Sequence, residues 1–220
     1  MASQNGFLQN IPPVTRNLLY VNVIMFIATL INPATMKGTF SMAFPLSTEF
    51  RWWQPLTHMF MHDGWMHIFF NMYSLVMFGM VVERVLGTKK FIWFYLITGF
   101  GAALLHMGVE FWQAKQLVAD NPGVPAQVIY NHMPGVLGAS GAVYGVLVAF
   151  AMLYPEARLT LIFPPITLDA KWWVIIFIGI ELVTGITGTQ MGVAHFAHLG
   201  GALFGWLLIR YWRKTGKLYR

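Results

Sequence analysis

Six apolar stretches, at about residues 17–31, 66–82, 91–111, 139–154, 172–187 and 194–212, dominate this chain. A helix that crosses the hydrocarbon of a bilayer needs roughly 20 such residues, with a range of about 17–25. The expected architecture is therefore an all-α membrane protein, a bundle of six transmembrane helices forming one domain over residues 1–220. The first, fourth and fifth stretches are slightly short, so their ends are expected in the interface or in locally thinned lipid. Composition agrees: hydrophobic residues make up 57% and charged residues 10%, against roughly 25% charged in ordinary soluble domains. No cysteine is present, which removes disulfides and thiolate chemistry from consideration.

The formal net charge of +6 invites a nucleic-acid reading, but the positions of the basic residues give a topological one. With alternating helices and a cytoplasmic N-terminus, the inside segments hold Arg16, Arg84, Lys89, Lys90, Arg158, Lys171, Arg210, Arg213, Lys214, Lys217 and Arg220. The outside segments hold only Lys37, Arg51 and Lys115. Eleven against three sets both termini in the cytoplasm of a cell whose inner membrane the chain crosses repeatedly. No nucleic-acid partner is needed. The first stretch lacks a strongly basic leader and a clear Ala-x-Ala site, so it reads as a retained anchor rather than a signal peptide.

Between the first two helices lie about 34 outside residues, 32–65, rich in proline and in aromatics such as Phe40, Phe44, Trp52 and Trp53. This run is too long for a simple connector and is expected to lie partly in the interface beside the bundle. A second outside loop, about 112–137, carries the turn signals Asn121-Pro122-Gly123 and Met133-Pro134-Gly135.

Polar side chains inside the spans are costly in lipid and turn toward the bundle interior or a wet cavity. His67 and Asn71 share one face of the second helix. Ser140 opens the fourth, Tyr144 follows one turn below it, and His198 lies about one turn into the sixth. The second, fourth and sixth helices all descend from the outer side, so these groups converge at a similar shallow depth. Gly141 and Gly145 form a small-residue face on the fourth helix; Ala197, Gly201 and Gly205 form one on the sixth. Such faces let helix backbones approach closely, which brings Ser140 toward His198. A serine and a histidine in hydrogen-bond reach are suited to nucleophile and general base.

The segments Gly-Ala-Ser-Gly-Ala-Val-Tyr-Gly (138–145), Ala-His-Leu-Gly-Gly-Ala-Leu-Phe-Gly (197–205) and His67-Ile-Phe-Phe-Asn71 resemble the rhomboid family of intramembrane serine proteases. The resemblance runs from about Trp52 to Trp212 and fits the shorter, six-helix bacterial members with their rhomboid bundle. It implies Ser140 as nucleophile and His198 as general base of a catalytic dyad. It also implies His67 and Asn71 as oxyanion stabilisers and Tyr144 as a ring packed against the imidazole, with Gly138, Gly141, Gly201 and Gly205 supporting the site. Thr57-His58-Met59-Phe60 resembles the segment where the long first loop enters the second helix. Many members carry Trp-Arg just before it, whereas this chain reads Trp53-Gln54, so the anchoring of the loop is open.

The implied activity is endopeptidase cleavage of single-span membrane proteins near the outer interface, with the lipid bilayer as the other partner and no cofactor. Substrates would be helices that unwind locally and offer small side chains at the cut, and the fifth helix, with Gly179, Gly185 and Gly188, is a candidate gate. No Asp or Glu is positioned by sequence to orient His198, which makes the dyad the economical reading. Glu181 is the only carboxylate deep inside a span, so no aspartyl pair is available, and no HExxH zinc motif occurs. His58 with His62, or His195 with His198, have helical spacings open to a metal, but none is expected. His58 and His62 are expected to make hydrogen bonds at the loop–helix junction, and His195 to face the aqueous rim. Glu83-Arg84 reads as a structural helix-end cluster and the methionines from 59 to 80 as packing. Two rival functions are a non-catalytic rhomboid-like protein that binds membrane clients and a small membrane transporter.

Overall fold

A computed structural model of the chain describes residues 7–161, 164–188 and 194–218. Helix α1 (Pro13–Ile31) begins at a proline, whose missing N–H is no loss at a first helical position. Its next donors are met from a distance: Val14 N and Thr15 N donate to the Glu83 carboxylate at 3.0 and 2.7 Å, and the Thr15 hydroxyl at 2.8 Å. Glu83 is 2% exposed, so this buried carboxylate caps α1 and ties it to α5 (Met80–Leu86). The expected structural role of Glu83 is thus a helix cap across two elements. Glu83→Ala leaves three donors without a partner. It should lower unfolding stability in detergent by about 2–3 kcal/mol, measured as the shift of the denaturation midpoint.

Short α2 (Pro33–Phe40) and α3 (Gln54–Thr57) lie in the long first loop, followed by a 3-10 turn at His58–Phe60. Helix α4 (Trp65–Ser74) runs through a π-helical segment, Leu75–Gly79, into α5, giving a predominantly apolar run of 22 residues, Trp65–Leu86, that stops at Gly87. Helix α6 (Thr88–Asp120) has 33 residues, about 50 Å at 1.5 Å per residue. That exceeds the hydrocarbon thickness, so the helix continues well past the expected end at 111 and stops only at the Asn121-Pro122-Gly123 signal. Helix α7 (Ala126–His132) then lies within the expected second loop.

Helix α8 (Ser140–Leu153) is short and apolar. It is joined to α9 (Ala170–Thr187) through an antiparallel pair, β1 (Arg158–Thr160) and β2 (Thr167–Asp169), with Arg158 opposite Asp169. Helix α10 (His195–Lys214) packs against α6, α8 and α9 and forms the centre of the bundle. By length and composition, α1, the α4–α5 run, α6 and α9 are each able to cross a membrane. In such a helix every backbone hydrogen bond is closed within the segment, which is what lipid demands. Arg220, counted above among the inside charges, and residues 1–6 lie outside the described residues.

The contact of α8 with α10 is made backbone to backbone. A β-carbon built on Gly201 would lie 1.8 Å from the Gly141 carbonyl oxygen, and one on Gly205 would lie 2.8 Å from Gly145 Cα. Only glycine permits this crossing. Next to it, a β-carbon on Gly200 would meet the Gly101 carbonyl of α6 at 2.8 Å.

The first loop is stitched to the segment that precedes α8. Met42 and Val136 exchange backbone hydrogen bonds of 2.9 Å, and Gly138 N donates to His58 O at 2.9 Å. Gln54, where an arginine was the family expectation, is fully buried and anchors this loop. Its side-chain oxygen accepts from Ala43 N (3.2 Å) and Arg51 N (3.1 Å), and its amide donates to Glu49 O (3.2 Å).

His58 and His62 are buried beneath the loop. Burial is the main reason their imidazoles are lowered, to about 4 and about 3 respectively. In the unfolded chain both take up protons below about pH 6.5, while the fold keeps them neutral. Stability should therefore be full above about pH 6.5 and fall as the pH drops toward 4. Unfolding midpoints in detergent across that range test this, and a flat profile contradicts it.

Candidate active site

Gly138 has φ +128, a region L side chains rarely adopt, and the chain turns there into α8. A β-carbon at Gly138 would lie 2.9 Å from His67 Nε2, so the glycine also makes room for that imidazole. The turn puts Ser140 at the first position of α8, whose N-terminus has no side-chain cap. Uncapped N–H groups and the positive end of the helix dipole favour an anion at this point.

His198, one turn into α10, points its Nε2 at Ser140 Oγ, 2.8 Å away. The pair is held at this distance by the glycine crossing just described. Tyr144, one turn below Ser140, stacks on the His198 ring with centroids 4.4 Å apart and planes 8° from parallel. For the serine hydroxyl to donate to Nε2, the imidazole proton must sit on Nδ1.

Across the cavity, α4 brings His67 and Asn71. Asp63 N donates to His67 Nδ1 at 3.3 Å, which leaves Nε2 as the proton-bearing nitrogen facing Gly138. Asn71 is buried and its amide donates to His67 O at 2.9 Å. Ser140, His198, Tyr144, His67 and Asn71 line one cavity of about 710 Å³, with Phe177 of α9 at its side.

Two features differ from the expectations above. A carboxylate does face His198: Glu181 Oε1 lies 2.8 Å from Nδ1, although the approach is bent away from a straight hydrogen bond. The same oxygen accepts from the Tyr144 hydroxyl at 2.5 Å. His195 does not face an aqueous rim but is buried, with its Nδ1 2.6 Å from Glu181 Oε2 and 3.1 Å from the Thr184 hydroxyl. One signal for this was present in the sequence: Glu181 is a lone carboxylate among apolar residues, and such a residue must find a partner in lipid. Which residue it would find was not visible, because Glu181 belongs to a different helix.

The arrangement is that of a hydroxyl beside a base, next to several N–H donors able to hold a tetrahedral oxyanion. Comparison with known proteins agrees with it. Residues 49–215 match the rhomboid domain family. Rhomboid protease AarA of Providencia stuartii is 29% identical over 167 residues, covering 75% of this chain and 57% of that protein. The mitochondrial presenilin-associated rhomboid-like protein of Homo sapiens is 31% identical over 153 residues, 69% of this chain and 36% of that protein. RHOMBOID-like protein 1 of Arabidopsis thaliana is 30% identical over 166 residues, 71% of this chain and 33% of that protein. The chain thus matches about half or less of the length of these relatives. With the rhomboid domain spanning 167 of its 220 residues, this multi-pass membrane chain belongs to the rhomboid family.

Proposed function

We propose that this chain is an intramembrane serine endopeptidase that cleaves single-span membrane proteins through Ser140 and His198. The observation that carries this reading is the 2.8 Å contact between His198 Nε2 and Ser140 Oγ inside a cavity large enough for a peptide segment. Its membership of a family that includes a named protease supports it.

In the reaction, Ser140 Oγ attacks the scissile carbonyl as its proton passes to His198 Nε2. The resulting oxyanion is held by the Ser140 N–H together with His67 and Asn71. His198 then delivers the proton to the leaving amine, and water reverses the sequence to release the acyl group. Removing one oxyanion donor, as in Asn71→Ala, should lower kcat about 10²–10³-fold with KM little changed. Steady-state cleavage of a transmembrane peptide measures this.

The site lies at the end of the bundle where α4, α8 and α10 begin. With the eleven inside charges, that end is the exterior face of a bacterial inner membrane, and both termini are cytoplasmic. Six crossings then follow, by α1, the α4–α5 run, α6, α8, α9 and α10, as one domain over the whole chain.

A fluorophosphonate probe tests the assignment. Reconstituted wild-type protein should label covalently, and Ser140→Ala should not. Labelling that survives Ser140→Ala refutes the reading, and wild-type protein that neither labels nor cleaves favours client binding instead.

A further inference from the structure

We propose that Glu181 is the positioning carboxylate of His198, holding both the proton-bearing nitrogen of the base and the tyrosine ring stacked on it. This rests on the serine-protease reading above and replaces a free-standing dyad with a base tied to a third residue on α9.

Helix α9 buries little: Ala170, Trp173 and Glu181 are its buried residues, while Ile180 and Leu182 on either side of Glu181 are 51% and 46% exposed. A carboxylate is an expensive choice for one of three inward positions, where an aliphatic residue would pack at lower cost. What the charge faces explains its presence. Oε2 contacts His195 Nδ1 at 2.6 Å, which pins the carboxylate itself. Oε1 is shared between the Tyr144 hydroxyl at 2.5 Å and His198 Nδ1 at 2.8 Å. His198 is thus fixed twice by one oxygen, directly at Nδ1 and indirectly through the ring lying flat against it.

The consequence is chemical. A proton held on Nδ1 leaves Nε2 bare toward Ser140, the form a general base requires. When the Ser140 proton moves to Nε2, the imidazolium gains a nearby negative charge. Glu181 takes no proton at any stage. It favours the right tautomer before the transfer and the charged ring after it. The bent approach to Nδ1 makes this contact mainly electrostatic, so charge should matter more than hydrogen-bond alignment.

Glu181→Gln tests this because it keeps the size and an oxygen for Tyr144 but removes the charge. Turnover of a transmembrane peptide should fall by up to about 10⁴-fold in kcat with KM unchanged. Glu181→Asp should restore part of it, and both variants should unfold at the wild-type temperature. A separate readout does not depend on activity. In protein with ¹⁵N-labelled histidines, assigned with His198→Gln, the His198 ring should be Nδ1-protonated in wild type and lose that preference in Glu181→Gln. An unchanged His198 tautomer in Glu181→Gln overturns the proposal. So does an activity loss equal in the Asp and Gln variants that follows a fall in melting temperature, since Glu181 would then merely tether α9. Absence of fluorophosphonate labelling in wild type would sink the hydrolase reading, and the tautomer measurement would still decide the role of Glu181.

Discussion

Ser140→Ala, His198→Ala and the double variant are expected to lose the same turnover, about 10⁴–10⁶-fold each relative to wild type. The reason is the single 2.8 Å contact through which the two side chains act. Without the imidazole, the hydroxyl keeps its proton and remains a poor nucleophile. Without the hydroxyl, the imidazole has no attacking group to activate. Removing the second member after the first therefore takes away nothing that still works. What remains in all three variants is substrate binding and oxyanion donors: the α8 N-terminus, His67 and Asn71. Their residual catalysis sets a common floor. The check is kcat/KM for one transmembrane peptide across the four proteins. Multiplied losses in the double variant would mean that the two residues act independently, contrary to the geometry.

Among the described glycines, Gly201→Ala is expected to be the most damaging addition of a single methyl group. Its β-carbon would sit 1.8 Å from the Gly141 carbonyl oxygen, a backbone atom that cannot swing aside. Helices α8 and α10 must move apart by more than 1 Å to admit it. Overpacking of ordinary cores costs typically about 1–3 kcal/mol, and a backbone clash belongs at or above the top of that range. The same displacement separates Ser140, on α8, from His198, on α10, so hydrolysis should be lost even in the fraction that folds. Gly179→Ala is the matched control, because nothing lies within 4 Å of a β-carbon there. It removes a glycine from a helix interior and should be neutral or stabilising by up to about 1 kcal/mol. Melting temperatures and fluorophosphonate labelling rates of the two variants, measured side by side in detergent, test the contrast. Equal behaviour would show that the α8–α10 crossing is not what sets the site.

Much of this architecture was legible along the chain. The apolar stretches marked the helices because lipid imposes length and composition together. The end of α6 was not legible: it was expected near 111, where the apolar run stops, but charged residues such as Lys115 remain helical beyond the hydrocarbon and the helix runs to the turn at 121–123. The glycines at 141, 145, 201 and 205 pointed to a close crossing, and the shared polarity of residues 67, 71, 140, 144 and 198 to one end of the bundle. Less visible was the pair β1 and β2, three residues each and held by Thr160 against Thr167, too short to show a pattern.

The chain's own text determined that it must live among lipids as helices, that two of those helices meet through glycine, and that a hydroxyl and imidazoles gather at one depth. These properties are written in local spacing and composition. Tertiary structure alone decided that Gln54 secures the first loop, that His195 turns inward and that Glu181 reaches His198. The physical reason is rotation. In lipid the outward and inward faces of a helix are both apolar: Ile175 and Val183 of α9 are exposed while Trp173 is buried. Periodicity therefore cannot say which way α9 turns about its axis, and only its packing against α8 and α10 aims Glu181 at the base.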